Sequence, residues 1–427
     1  MFYRTVFLLL LAALPAMAQP MAVAAGPASA QLTLEEVVGA VLANHPAIAA
    51  SREQVAAQRQ RVEFARALPD PTLTVSYMGS AAPFRTMVND PSSYRGLTAM
   101  QMLPLGGKRE LRRTMARSDV KASEADQLAV SRRLKSEAEA AFYDYFYYGH
   151  ALEVTARNKV RLEQMVAASE ARYRVGKAMQ ADVLRAQIEV SMLLQRQASL
   201  EQQREVAAAQ LNLWMGRAMD AELPPAAEVA RTPLPELASI LEAAGTNDPA
   251  LMKAQTMVER SALAITSAHK DYIPDLSAGY MFQQRTGMAD MYGAQFSLNI
   301  PIFYKSKQRE AEAAAKLEHS AAEKSRDART VELAYELKQM HSMAANAGKM
   351  LDLYDKVILP QAELALESAE SSYTAGGADF TALIANLTAI QSYQLDYYRQ
   401  TADYMIALAR IEALTGELSR SGGEAKQ

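Results

Sequence analysis

The sequence predicts a mainly α-helical chain with a small β part, in which each of two related halves joins a helix of about 65 residues to a pair of membrane-crossing strands. Three observations predict it. Segments about 200 residues apart repeat one another, apolar residues keep heptad spacing over many turns without proline, and short runs alternate apolar with polar residues.

Residues 1–18 read as a secretory signal peptide, with Arg4 near the start, an apolar run from Val6 to Ala18 and the small-residue site Ala16-Met17-Ala18. A second small-residue site, Ala28-Ser29-Ala30, makes cleavage after residue 30 the alternative, so fold reasoning begins at Gln31. With no Cys in an exported chain, stability has to come from packing rather than disulfides. No later stretch reaches the roughly 18 apolar residues of a spanning helix, so any membrane crossing has to be a closed barrel. The 45 basic and 48 acidic residues give a net charge of -3, which argues against a nucleic-acid partner.

The first repeat is expected over 31–216 and the second over 236–416, with a Pro-rich connector at 217–235 and a polar tail at 417–427. Asn44-His45-Pro46-Ala47-Ile48 is echoed by Asn247-Asp248-Pro249-Ala250-Leu251, and Pro71 to Tyr77 by Pro274 to Tyr280, both at an offset of 203. Tyr173, Gly176 and Gly216 match Tyr373, Gly376 and Gly416 at an offset of 200. Each half orders its parts alike: short helices, two strands, a very long helix, a tight turn and a shorter helix.

The long helices are expected at about 107–173 and 304–373, each followed by a shorter one at about 179–215 and 379–415. Leu134, Ala138, Ala141, Tyr145, Tyr148 and Leu152 recur in steps of four and three, as do Leu333, Leu337, Met340, Ala344, Ala347, Leu351, Tyr354 and Ile358. Some 65 residues at about 1.5 Å each make a rod of about 100 Å, too long for a globule. Pro360 predicts a kink near Leu359.

Strands are expected at about 71–80, 94–103, 274–284 and 291–301. The clearest alternates Tyr292, Ala294, Phe296, Leu298 and Ile300 with Gly293, Gln295, Ser297 and Asn299, as when one face meets lipid and the other a wet lumen. Four strands cannot close a barrel alone, since single-chain barrels start at about eight, so further copies have to supply the rest. Tyr77, Tyr94, Tyr280 and Tyr292 are candidate interfacial girdle residues. The strand from Tyr94 is the weak member, because its alternation sends Gln101 toward lipid and Met100 and Met102 toward the lumen.

Several local sequences resemble the TolC-type outer-membrane efflux family: Leu32-Thr33-Leu34-Glu35-Glu36 with Asn44-His45-Pro46, the turns around Tyr173, Gly176 and Asp182 and around Tyr373 and Gly376, Leu359-Pro360-Gln361-Ala362, and Leu414-Thr415-Gly416. The resemblance implies a homotrimer with a twelve-stranded barrel in outer-membrane lipid and a helical tunnel through the periplasm. It also implies passive conduction, of heavy-metal ions or of drugs, with an inner-membrane pump joined through a periplasmic adaptor, or membrane fusion, protein. By it, the adaptor docks on the tips Arg174, Val175, Gly176 and Lys177 and Thr374, Ala375, Gly376 and Gly377. Gate candidates are Tyr173, Tyr373, Asp182 and Asp379; the family's acidic residue six positions after the tip glycine is Asp182 in the first copy but Ala382 in the second.

Gln101 to Arg109 resembles the strand-to-helix junction of the family's heavy-metal efflux branch. Met78, Met87, Met100, Met102, Met281, Met288 and Met291 cluster near the strands, and thioethers bind soft metals, although methionine more often serves as a flexible hydrophobe. No metal site and no cofactor are expected: the five His lack metal spacing, and no Gly-rich phosphate loop is present. An enzyme is therefore not expected. The rival reading is a periplasmic coiled-coil adaptor or structural protein without a membrane barrel, which has no need of paired strands in both halves.

Overall fold

The computed structural model describes residues 31–79, 85–375 and 380–416; the expected signal peptide with both cleavage sites, and the tail at 417–427, lie outside the described residues. The first half contains α1 (Leu34–Asn44), α2 (Pro46–Arg66), β1 (Thr72–Met78), β2 (Tyr94–Leu103), α3 (Lys108–Arg174) and α4 (Gln180–Met215). The second contains α5 (Leu237–Asn247), α6 (Pro249–Lys270), β3 (Asp275–Gln284), β4 (Met291–Asn299), α7 (Gln308–Leu353), a π-helical turn (Tyr354–Ile358), α8 (Leu359–Ala375) and α9 (Phe380–Thr415).

Matched residues do matched work. Thr33 caps α1 reciprocally with Glu36, at 3.0 and 3.3 Å. His45 and Asp248 are the N-caps of α2 and α6, each with proline as the first helical residue, where a missing N–H is harmless. His45 Nδ1 accepts from the Ala47 N–H at 3.2 Å, and Asp248 Oδ1 from Leu251 at 2.7 Å. Gly216 and Gly416, just past α4 and α9, both take a left-handed φ, +70° and +83°, as helix-ending glycines do.

The 67 residues of α3 make a rod of about 100 Å. It packs against α2, α4, α6 and α9, while α7 packs on α6 and α9, and α8 on α9. Leu134, Ala138, Ala141 and Tyr145 are buried along α3, and Leu333, Leu337, Ala344, Ala347 and Leu351 along α7. The buried stripe stops at Leu351, because the π-helical turn follows: Leu359 N–H bonds the carbonyl of Tyr354, five residues back. That turn inserts a residue and rotates the face beyond it by roughly 100°. The expected kink near Leu359 thus takes the form of a π-turn just before it, where Pro360 lacks a donor and would crowd the carbonyl four residues back.

The connector contains no helix and is stitched to the bundle through its backbone. Leu32 N–H donates to Pro225, Ala227 N–H returns to Leu32, both at 2.8 Å, and Tyr404 Oη donates to Thr232 at 2.7 Å. Beneath it Val37, Val41, Phe142, Leu211 and Tyr404 anchor the largest apolar core.

Candidate functional site

The strands form one antiparallel sheet in the order β1-β2-β3-β4, so β1 and β4 are outer edges with no strand beyond them among the described residues. The register makes the two faces continuous across the sheet. Val75, Leu97, Phe282 and Tyr292 share one row; Leu73, Ala99, Tyr280 and Ala294 the next; Leu103, Leu276 and Leu298 another. Since direct cross-strand partners point to the same side, these rows build a single apolar face, bounded at one end by the row of Tyr77, Arg95 and Gln284. The opposite face carries Thr72, Thr74, Ser76, Thr98, Ser277, Gln283, Gln295, Ser297 and Asn299.

This register settles the weak strand. Gln101 lies in the apolar row of Ala278 and Phe296, but its amide is occupied: Nε2 donates to the Pro69 and Met102 carbonyls at 2.7 and 3.0 Å. Tyr94 requires a correction. It pairs with Met78 and stands three residues from Leu97, so strand parity puts it on the polar face, away from Tyr77, Tyr280 and Tyr292. All five strand methionines (Met78, Met100, Met102, Met281 and Met291) also project to the polar face. Met102, Met100, Met281 and Met291 succeed one another along the strand or diagonally across it, within reach of long side chains. A Cβ added at Gly293 would stand 3.2 Å from Met281 Cε, so the missing side chain makes room for that methionine.

Where strand meets helix, Gly106 and Gly107 take left-handed φ values of +70° and +73°, turning the chain so that Lys108 points inward. Its ammonium, 7% exposed, donates to Asp275 Oδ1 and the Ile273 carbonyl, each at 2.8 Å. Lys270 donates to the Gly106 carbonyl at 2.7 Å, which ties the joint of one half to the other.

At the far end of the rod α3 stops in a Schellman turn. Lys177 N–H reaches the Arg172 carbonyl at 2.8 Å, Gly176 N–H the Tyr173 carbonyl at 2.9 Å, and Gly176 has φ +69°. Asp182 begins α4 by accepting the Met179 N–H at 3.1 Å. Val175 and Met179 are exposed, as are Leu184, Ile188 and Met192 at four-residue spacing along α4, a stripe the sequence reading missed. Arg174 reaches Glu170 at 3.7 Å. In the second tip Thr374 hydrogen-bonds the Ser371 carbonyl at 2.8 Å and Ala375 ends α8, while Gly376, Gly377 and Asp379 lie outside the described residues.

The tips are bound together. Arg172 Nη1 donates to the Tyr373 carbonyl, and its guanidinium stacks 4.6 Å over the Tyr373 ring, which packs on Phe380. Tyr173 and Tyr373, equivalent in sequence, are not equivalent in place: the first is 46% exposed, the second 5%. Below them Leu162, Leu366, Phe380, Leu383 and Ile390 form a separate core. Arg172 and Phe380 escaped the sequence reading because only this packing gives them a role.

Elsewhere Arg399 holds Asp403 at 2.5 Å and Asp144 at 2.8 Å and lies 5.3 Å over the Tyr147 ring. Burial pulls its pKa down, but the two carboxylates outweigh that and raise it, so the cation persists. Burial pushes the Tyr147 phenol up. Among the described residues no group of His, Asp and Glu has metal-binding geometry, and no helix is long and apolar enough to cross a membrane.

Comparison with known proteins follows the same lines. The family model described as outer membrane efflux protein matches residues 37–217 and 240–417. No curated protein matches in sequence. Among solved structures, the outer membrane protein VceC of Vibrio cholerae superposes with a TM-score of 0.75 at 16% identity, over 90% of this chain and 96% of VceC. CusC, described with its transmembrane channel formation, gives 0.73 at 15%, over 94% and 96%. The open outer membrane channel MtrE of Neisseria gonorrhoeae gives 0.73 at 17%, over 91% and 90%. At such identities the likeness shows the fold.

Proposed function

The chain belongs to the outer membrane efflux protein family, and from that premise we propose that three copies close a twelve-stranded barrel continued by a helical duct into the periplasm. The observation that carries this is the sheet: one continuous apolar face, one polar face and two open edges. Open edges are untenable in lipid, where every backbone group needs a partner, so β4 of one copy meets β1 of the next. Apolar residues then face lipid, with Tyr77, Tyr280 and Tyr292 on that side, and polar ones line the lumen.

The duct conducts passively. An inner-membrane pump supplies the energy and a periplasmic adaptor docks at the tips, on Val175 and Gly176 with Arg174 and Lys177 beside them, and on the Thr374–Gly377 turn. Tyr373, held by Arg172, and Asp182, held at the start of α4, serve at the gate. Native mass and single-channel conductance of detergent-extracted protein test the reading. A conducting trimer is expected; a monomer, or recovery from the soluble periplasm, replaces it with the barrel-less adaptor.

Soft metal ions are a second reading of the cargo, favoured by the methionines. As plain hydrophobes they belong on the lipid face, yet all five strand methionines sit on the polar one. Silver(I) added to the open channel should alter its conductance, and Met100→Leu with Met281→Leu should abolish that response. An unchanged response removes the thioethers from the argument.

A further inference from the structure

The joint between β4 and α7 differs from its counterpart in the first half. Leu103-Pro104-Leu105-Gly106-Gly107-Lys108 aligns with Ile300-Pro301-Ile302-Phe303-Tyr304-Lys305, keeping the apolar-Pro-apolar start and the lysine. In the first copy two left-handed glycines fold the lysine inward onto Asp275. In the second, Phe303 and Tyr304 replace the glycines and the lysine stays outside.

The second joint is held by its own backbone. Ser306 and Lys307 N–H groups both reach the Phe303 carbonyl at 3.1 Å, and Arg309 N–H reaches Tyr304 at 2.9 Å. With the main chain satisfied locally, the side chains are left outward: Ile302 and Phe303 are 71% and 72% exposed, and Ile300 and Tyr304 are exposed beside them. Ile300 continues the apolar column of Phe296 and Leu298 past the end of β4. Lys305 and Lys307 follow immediately and make no ion pair among the described residues, whereas the nearby carboxylates are engaged, Glu310 by Arg309 at 3.0 Å and Glu312 by Lys316 at 2.7 Å.

We propose that this joint is a membrane foot: Ile300, Ile302 and Phe303 enter the acyl region of the inner leaflet, and Lys305 and Lys307 hold the phosphate of an anionic phospholipid. Resting on the barrel reading above, it adds a lipid site to it. Three arguments select lipid as the occupant. The apolar surface is continuous with the face assigned to the bilayer, its place just beyond a nine-residue strand is where a spanning strand leaves the hydrocarbon, and apolar, then Tyr, then Lys matches the order of acyl chain, interface and headgroup.

The test places a fluorophore at the foot. With Trp214, the single Trp, changed by Trp214→Phe, Phe303→Trp and Phe296→Trp are each introduced and the trimer is reconstituted in vesicles of phosphatidylcholine with phosphatidylglycerol, one of the two brominated on its acyl chains near the headgroup. Ile302→Trp replaces Phe303→Trp where the latter fails to assemble. Bromolipid should quench the residue 303 Trp, with phosphatidylglycerol favoured about fivefold, a preference that Lys305→Gln with Lys307→Gln should erase. Quenching at residue 296 without quenching at 303 overturns the foot, because the next copy of the chain then covers it, and leaves the barrel standing. Quenching at neither position overturns both. Equal quenching by the two lipids overturns the phosphate site.

Discussion

The two halves share an order of parts but not the way their joints are held. At the α1–α2 joint His45 caps α2 and stacks on Trp214 at 5.7 Å. At the α5–α6 joint Asp248, 1% exposed, caps α6 and also receives Arg329, whose other contact is Glu336 at 3.2 Å. The first long helix is unbroken, while the second yields at a π-turn before Pro360. Proline at the first helical position and glycine past the last recur in both halves and fix where elements start and stop. At these two helix joints the electrostatic solutions have diverged, the first relying on ring packing and the second on a buried charge.

The sharpest way to break this comparison is to exchange the prolines. Val160 occupies in α3 the place that Pro360 occupies in α8, at the offset of 200, and its side chain is exposed. Val160→Pro should cost about 3 kcal/mol or more, read as loss of helix in denaturant titrations by circular dichroism, because α3 has no π-turn to absorb the missing donor. Pro360→Val should change stability by less than about 1 kcal/mol. Equal effects would mean that continuity of α3 carries no special weight.

Next comes Asp248→Ala, expected to cost about 3 kcal/mol, since it strips a cap and leaves Arg329 with only one of its two carboxylates. His45→Ala should cost about 1 to 2 kcal/mol, as loss of a cap and of the stack on Trp214 with no charge left unpaired. Asp248→Asn keeps the cap, so a result near wild type would move the weight from the charge to the hydrogen bond. Somewhat smaller is Lys108→Met, at about 2 kcal/mol, because the Ile273 carbonyl and Asp275 lose their partner. Lys305→Met, its counterpart in the second half, should stay within about 0.5 kcal/mol.

These contrasts also mark what the sequence discloses. The helix starts at Pro46 and Pro249, the glycine Gly216 past α4 and the alternation on β4 are local signals, each readable from neighbours within a few residues, and the repeat is legible because such local signals recur about 200 residues apart. Lys108 is different: its burial is decided by Asp275, 167 residues away, and no spacing near either residue announces the pair. Residue type alone gives Tyr94 a girdle role, whereas its face is set by parity from Leu97, and only the register with β3 fixes that strand. Tyr173 and Tyr373 carry the same letter at matched positions, yet only the second is buried, within the apolar cluster of Phe380 and under Arg172.

The same inequality of halves yields the prediction with the smallest effect on stability. The first tip offers Val175 and Met179, both exposed and apolar, on a turn whose backbone is already satisfied. The second offers Thr374, which spends its hydroxyl on Ser371. Val175→Asp should therefore leave unfolding within about 0.5 kcal/mol of wild type, since nothing inside the protein touches that side chain closely enough to bury it. Gly176→Ala is the companion: its Cβ meets nothing within 4 Å, so the cost is the left-handed φ alone, about 1 kcal/mol. If an adaptor seats on the first tip, a charge at the centre of that contact should cost it about 2 kcal/mol or more, roughly thirtyfold in affinity by pull-down or surface binding. Thr374→Asp should cost less, because it replaces a polar side chain whose hydroxyl is turned to the Ser371 carbonyl. Undiminished adaptor binding by Val175→Asp would take the first tip out of the docking surface, and a larger loss at Thr374 would reverse the roles of the two halves at the periplasmic end.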